Sequence, residues 1–130
     1  MSQINSASTT ESSKQPASQA VLEQKVAMRY KQLQQEAQVL VSKLMEIEDE
    51  KKENELVLES ISKLEDSRKC WRLVNGVLME KTKIEVVPEM RTVINNLMAV
   101  DKQIRDTLVA VRQEIRNLEG AYDHIMKGSQ

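Results

Sequence analysis

From Val26 onward the apolar residues of the first half of the chain step by three and four: Val26, Tyr30, Leu33, Ala37, Leu40, Leu44, Ile47, Lys51, Asn54, Leu58, Ile61. Only Lys51 and Asn54 interrupt this row. Such spacing, sustained over several heptads, is the seam of a coiled-coil helix whose apolar stripe faces a partner. A second row runs Val87, Met90, Ile94, Leu97, Asp101, Ile104, Leu108, Val111, Ile115, Leu118, Tyr122, Ile125, broken only by Asp101. Between the rows lies Cys70-Trp71-Arg72-Leu73-Val74-Asn75-Gly76-Val77-Leu78-Met79-Glu80. Asn-Gly flanked by apolar residues is the strongest local hairpin signal, because both central residues of a type I′ turn need φ > 0. The pattern predicts a mainly α chain with a helix over 19–66, a β-hairpin over 69–81 and a helix over 83–126.

Punctuation refines these bounds. Residues 1–18 are rich in Ser, Thr and Gln, and their few large apolar side chains cannot offset the entropy of ordering, so they read as a disordered tail. Pro16 supports that reading, and Ser18 is placed to cap the first helix. Glu65-Asp66-Ser67-Arg68 forms a charged connector. Thr82 and Glu85 have the spacing of a capping box, and Pro88 predicts a kink or restart soon after it. Gly128 marks the end of the second helix, leaving 127–130 as a C-terminal tail.

Folding the rows back about Asn75-Gly76 brings Ile61 to Met90, Leu58 to Ile94, Ile47 to Ile104, Leu44 to Leu108, Leu33 to Leu118, Tyr30 to Tyr122 and Val26 to Ile125. Lys51 then falls opposite Asp101, the one basic and one acidic intruder. This predicts an antiparallel two-helix arm, about 36 residues or roughly 54 Å per helix. A Lys51–Asp101 pair would fix register more than it would add stability. The alternative is that both side chains reach along the interface to solvent.

The hairpin cannot stand alone. A two-residue loop sets Val74 against Val77, Arg72 against Met79 and Cys70 against Lys81 on one face, with Leu73 against Leu78 and Trp71 against Glu80 on the other. Both faces near the turn are apolar and both edges carry unpaired backbone groups. Hairpins of sister subunits, ideally closed into an intersubunit barrel, would remove the edges and bury the faces. Cys70, Trp71, Leu73, Val74, Asn75, Gly76, Val77, Leu78 and Met79 are therefore the candidate assembly residues. The competing arrangement folds the ribbon down onto its own helices.

Composition narrows the function. The 130 residues include no Phe, three Gly and two Pro, and 30% are charged, as in long helices and coiled coils. A net charge of −1 gives no reason to expect nucleic acid or an anionic membrane as partner. No apolar run suits a secretory signal or a membrane span, which leaves the cytoplasm as the expected compartment. The single cysteine, Cys70, excludes an intrachain disulfide, and the single histidine, His124, lies far from it along the arm, so neither a Cys–His nucleophile nor a Cys–His metal site is expected. No phosphate-binding loop occurs, carboxylates such as Glu46, Glu48, Asp49 and Glu50 read as a solvated helix face, and no cofactor is expected.

At the arm's outer end apolar residues appear outside the seam, notably Val21, Met28 and Met126. Val21, Leu22, Met28, Tyr30, Tyr122, Ile125 and Met126 are the candidate capture surface, Met being able to adapt to varied partners. Val26, Leu33 and Leu118 are expected merely to finish the seam.

With these residues in view, helix, hairpin and helix carrying Arg68-Lys69-Cys70-Trp71-Arg72-Leu73-Val74-Asn75-Gly76-Val77-Leu78-Met79-Glu80-Lys81-Thr82 resemble the β-class subunits of the prefoldin family over about residues 20 to 126. Asn75 stands where that family usually has Gly, and Trp71 where it usually has Tyr; both swaps keep the chemistry of the position. The resemblance implies a heterohexamer of two α-class and four β-class subunits, built on β-barrels to which each β-class subunit gives a hairpin. It implies that the arms hold unfolded actin- or tubulin-like chains and pass them to the cytosolic group II chaperonin without hydrolysing ATP. A structural or tethering coiled-coil protein, whose hairpin only closes the helical pair, is the alternative.

Overall fold

The two seam-bearing tracts form α1 (Ser2–Ser62) and α2 (Lys83–Gly128), with strands β1 (Lys69–Val74) and β2 (Val77–Thr82) between them. The computed structural model describes residues 18–128. The tail expected over residues 1–18 lies outside them but for Ser18, as do residues 129 and 130. Ser18 is helical and inside the bounds of α1, so it does not serve as the expected cap, a position that needs non-helical backbone.

Two compact units arise: Leu40–Thr107, and the described parts of Met1–Val39 with Leu108–Gln130. Within each, periodicity translates directly into burial. Every member of the first row, from Val26 to Ile61, is buried or half-buried, with Val41 and Glu48 the only additions in that span. Met90, Ile94, Leu97 and Ile104 form the core of the α2 segment in the first unit, joined by Val86. Leu33, Leu108 and Val111 are the buried residues of the second. Val86, rather than the expected Val87, is the more deeply buried neighbour, because Val86 and Met90 lie four apart on the helix face that meets the hairpin and α1.

Element ends differ from the sequence reading. α1 stops at Ser62, where the Leu64 N–H bonds to the Ile61 carbonyl at 3.0 Å and tightens the last turn. The Lys83 ammonium then donates to the carbonyls of Ser62 (3.0 Å) and Leu64 (2.7 Å), supplying the positive charge that the last turn of α1 itself lacks. α2 continues to Gly128 and runs unbroken through Pro88, so no restart occurs. Pro88 sits in the second turn, where it deletes a single ladder bond, and the buried Val86 and Met90 on either side anchor that turn. Thr82, immediately before α2, donates to the Glu85 carboxylate at 3.0 Å, joining the two residues of the expected capping box side chain to side chain.

Candidate functional site: the hairpin and the paired helix ends

Asn75 and Gly76 adopt φ of 50° and 80°, the left-handed pair that a type I′ turn demands. The register follows, with Val74 opposite Val77, Leu73 opposite Leu78, Arg72 opposite Met79, Trp71 opposite Glu80, Cys70 opposite Lys81 and Lys69 opposite Thr82. Thr82 thus extends the ribbon one residue past the expected end. Among the described residues the sheet has these two strands alone, so the outer edge of each is unpaired.

The ribbon's two faces are not equivalent. Trp71, Leu73 and Leu78 point to one side and remain 63%, 69% and 60% exposed. On the other side Arg72 and Lys81, one from each strand, converge on Glu89 of α2: Arg72 Nη1 lies 3.2 Å from Glu89 Oε2, and Lys81 Nζ bonds Oε1. The Lys81 hydrogen bond, aided by the charges of Lys81 and Arg72, holds the Glu89 carboxyl below the usual carboxylate range against an opposing desolvation effect. Half-buried Cys70 and Val74 share this inner side, while Val77 and Met79 stay exposed. A groove of about 350 Å³ runs along β1, lined by Trp71 and Leu73 as well as Cys70 and Arg72, with Val57, Ile61, Val86 and Met90 on the helix side. One face is therefore bracketed to α2 through Glu89, while the face of Trp71, Leu73 and Leu78 stays mostly exposed.

Glu89 and Lys83 were not candidates from sequence. The available signal was Arg72 and Lys81 on one ribbon face, two cations that call for a carboxylate from an adjoining element.

The expected Lys51–Asp101 pair does not form. Lys51 Nζ lies 3.6 Å from Glu55, and Asp101 Oδ2 accepts from Arg105 Nε at 2.8 Å, each an i,i+4 partner on its own helix. The link between helices at this level is instead Arg105 with Glu48. A partner one turn away needs no crossing of the half-buried seam, whereas Arg105, on the flank, reaches both helices. Both carboxylates favour the cation, the Asp101 hydrogen bond most, and raise the affinity of the guanidinium for its proton.

The second unit holds the other candidate surface. Here the seam closes on Leu33, which is fully buried, and then opens. Tyr30, Val26, Leu118 and Tyr122, together with Ala27, Glu119 and Asp123, line an open groove of about 430 Å³. Tyr122, expected within the seam, is 39% exposed, because a phenol hydroxyl keeps its side chain near water. The Tyr30 hydroxyl accepts from Gln34 Nε2 at 2.9 Å and donates to Glu119 Oε1 at 3.4 Å. Arg29 and Glu114 pair at 2.9 Å. Val21, Leu22, Met28 and Met126 are exposed and Ile125 half-buried; none of these five lines the groove. Of the candidate capture residues, Tyr30 and Tyr122 line this groove.

Among the described residues no three His, Cys, Asp or Glu side chains are grouped to hold a metal, and no helix is long and apolar enough to cross a membrane.

Known proteins give this geometry its context. Residues 24–129 match the sequence pattern of the prefoldin subunit family. A probable prefoldin subunit 2 of Dictyostelium discoideum is 32% identical over 104 residues, covering 80% of this chain and 90% of that protein. Human prefoldin subunit 2 is 30% identical over 109 residues, covering 84% and 71%. The crystal structure of the prefoldin beta subunit from Thermococcus strain KS-1 shares the fold, with a TM-score of 0.71 over 78% of this chain and 90% of that one, at 19% identity. A match across nearly the whole described chain, in sequence and in the order helix, hairpin, helix, has one meaning: the chain belongs to the prefoldin subunit family.

Proposed function

We propose that this chain is a β-class subunit of a prefoldin heterohexamer of two α-class and four β-class subunits, in which its hairpin completes an intersubunit β-barrel. The observation that carries the proposal is the ribbon's open state: two strands, unpaired outer edges, and Trp71, Leu73 and Leu78 in water. A lone ribbon of this size is marginal in water, and added strands satisfy its edges and cover its face together. The inner bracket through Glu89 agrees with this reading, because it holds the ribbon on α2 while leaving the apolar face for partners.

In this reading the paired helix ends capture unfolded actin- or tubulin-like chains in the cytoplasm and release them to the group II chaperonin. No catalysis, cofactor or ATP hydrolysis by the subunit is involved. Single apolar contacts, each worth about 1.5–3 kcal/mol when buried, suffice once several arms act on one client. Mixing the chain with α-class and other β-class prefoldin subunits should give a defined hexamer by light scattering, and the hexamer should suppress aggregation of denatured actin without nucleotide. A well-folded solitary monomer whose β1 and β2 edge amides resist hydrogen exchange would overturn the assembly role.

A further inference from the structure

The groove in the second unit has an acidic character that an apolar capture surface does not require. Val26, Ala27 and Leu118 supply aliphatic walls and Tyr30 and Tyr122 two phenol rings, while the only charged side chains that line it are Glu119 and Asp123. Asp123 is exposed and is paired with no cation among the described residues. Arg29, next to Tyr30 in the chain, pairs with Glu114 at 2.9 Å and is not among the lining residues. Glu119 accepts the Tyr30 hydroxyl, a neutral donor that leaves its charge in place.

We propose that this groove selects, within an unfolded chain, segments in which a bulky apolar side chain is flanked by Lys or Arg. The inference rests on the capture role given above and adds the chemistry of the segment captured. A groove of about 430 Å³ takes side chains rather than a folded element. The apolar side chain enters between the two tyrosines, and the flanking cation meets Asp123 or Glu119. A cation over a tyrosine face gains further from the ring quadrupole. A segment flanked by Asp or Glu brings like charges together and is disfavoured. These contacts are solvent-exposed, so the preference is modest and falls as salt rises.

The test uses the full chain assembled with its partner subunits and three fluorescein-labelled unstructured peptides that share a Leu-rich centre and differ in flanks of Lys, Ser or Glu. By fluorescence anisotropy at low salt, the Lys-flanked peptide should bind about three- to tenfold more tightly than the Glu-flanked one. In Glu119→Gln/Asp123→Asn, which keeps side-chain size and an oxygen to accept the Tyr30 hydroxyl, that ratio should fall toward one. Equal binding of the Lys- and Glu-flanked peptides to the unaltered assembly, or a ratio that persists in the double variant, overturns the charge preference and leaves capture standing. Failure of all three peptides to bind overturns the capture role itself, and the preference with it.

Discussion

The hairpin and the paired helix ends both hold large apolar side chains in water, but they differ in what their backbones still need. Trp71, Leu73 and Leu78 sit on a ribbon whose edge N–H and C=O groups have no partner, so anything that covers them well must also supply a strand in register. Val21, Leu22, Met28 and Tyr122 sit on helices whose backbone groups are satisfied within each helix. A partner there needs only side chains and no particular conformation. The first surface suits one defined neighbour and the second suits many. Exposure alone would not have separated them, since Met28 and Trp71 are about equally bare, at 58% and 63%.

The largest effect expected from this contrast is at the turn. Replacing Asn75-Gly76 by Val-Val puts β-branched residues at two positive-φ positions, each costing about 1–2 kcal/mol, in a ribbon that is marginal by itself. Hexamer formation, read by light scattering, should be lost, while helicity by circular dichroism stays largely unchanged. A normal hexamer would remove the strand requirement and make the two surfaces alike. The converse variant, Val21→Ser/Met28→Ser/Met126→Ser, should leave hexamer formation intact but raise by about tenfold the hexamer needed to suppress aggregation of denatured actin, on the basis of roughly 1.4 kcal/mol lost from client contacts. Unchanged suppression would confine capture to the groove around Tyr30 and Tyr122.

Where sequence reading succeeded and where it stopped follows the same division. The seam positions of α1 from Val26 to Ile61 are all buried or half-buried because helical periodicity is local, and Asn75-Gly76 announces its turn because only such residues tolerate the backbone it needs. Glu89 and Lys83 escaped because each acts across elements: Lys81 meets Glu89 only after the ribbon has folded onto α2, and Lys83 meets Ser62 only after the ribbon has brought the two helices together. The groove was hidden for a different reason. In the heptad row Tyr30 and Tyr122 look like any other seam pair, and Leu33 differs from them only in size and in having no hydroxyl to keep near water. Whether a seam closes depends on that volume and polarity, which spacing does not encode.

Glu89 sharpens the comparison further, because it sets the pose of the ribbon without taking part in its strand pairing. Glu89→Gln removes the charge that Arg72 and Lys81 share. Hydrogen exchange of the β1 and β2 amides in the hexamer should rise a few-fold, with no change at the helix ends. pH provides the same perturbation without mutation. The carboxyl is held below its usual range by the Lys81 hydrogen bond, so its contribution is present above the ordinary carboxylate pKa and disappears as pH falls through the lowered value. Ribbon amides should therefore lose protection at acid pH in the unaltered chain, and the part of that loss due to Glu89 should be absent from Glu89→Gln. An identical acid response in both would show that the bracket does not hold the ribbon.

The seam of the Leu40–Thr107 unit should matter least, and Lys51 and Asp101 test that. If they faced each other as register suggests, a double-mutant cycle with Lys51→Leu and Asp101→Leu would return a coupling energy of at least about 1 kcal/mol. Each is instead satisfied on its own helix, Lys51 by Glu55 and Asp101 by Arg105, whose second contact to Glu48 joins the helices at the flank. The coupling measured from thermal unfolding of the hexamer should then stay below about 0.5 kcal/mol. Lys51→Leu alone should be neutral or slightly stabilising, since it extends the apolar row at a half-buried position. Asp101→Leu should be the more costly single change, because it releases one of the two carboxylates that orient Arg105. A large coupling would mean that the seam of this unit carries a register lock after all.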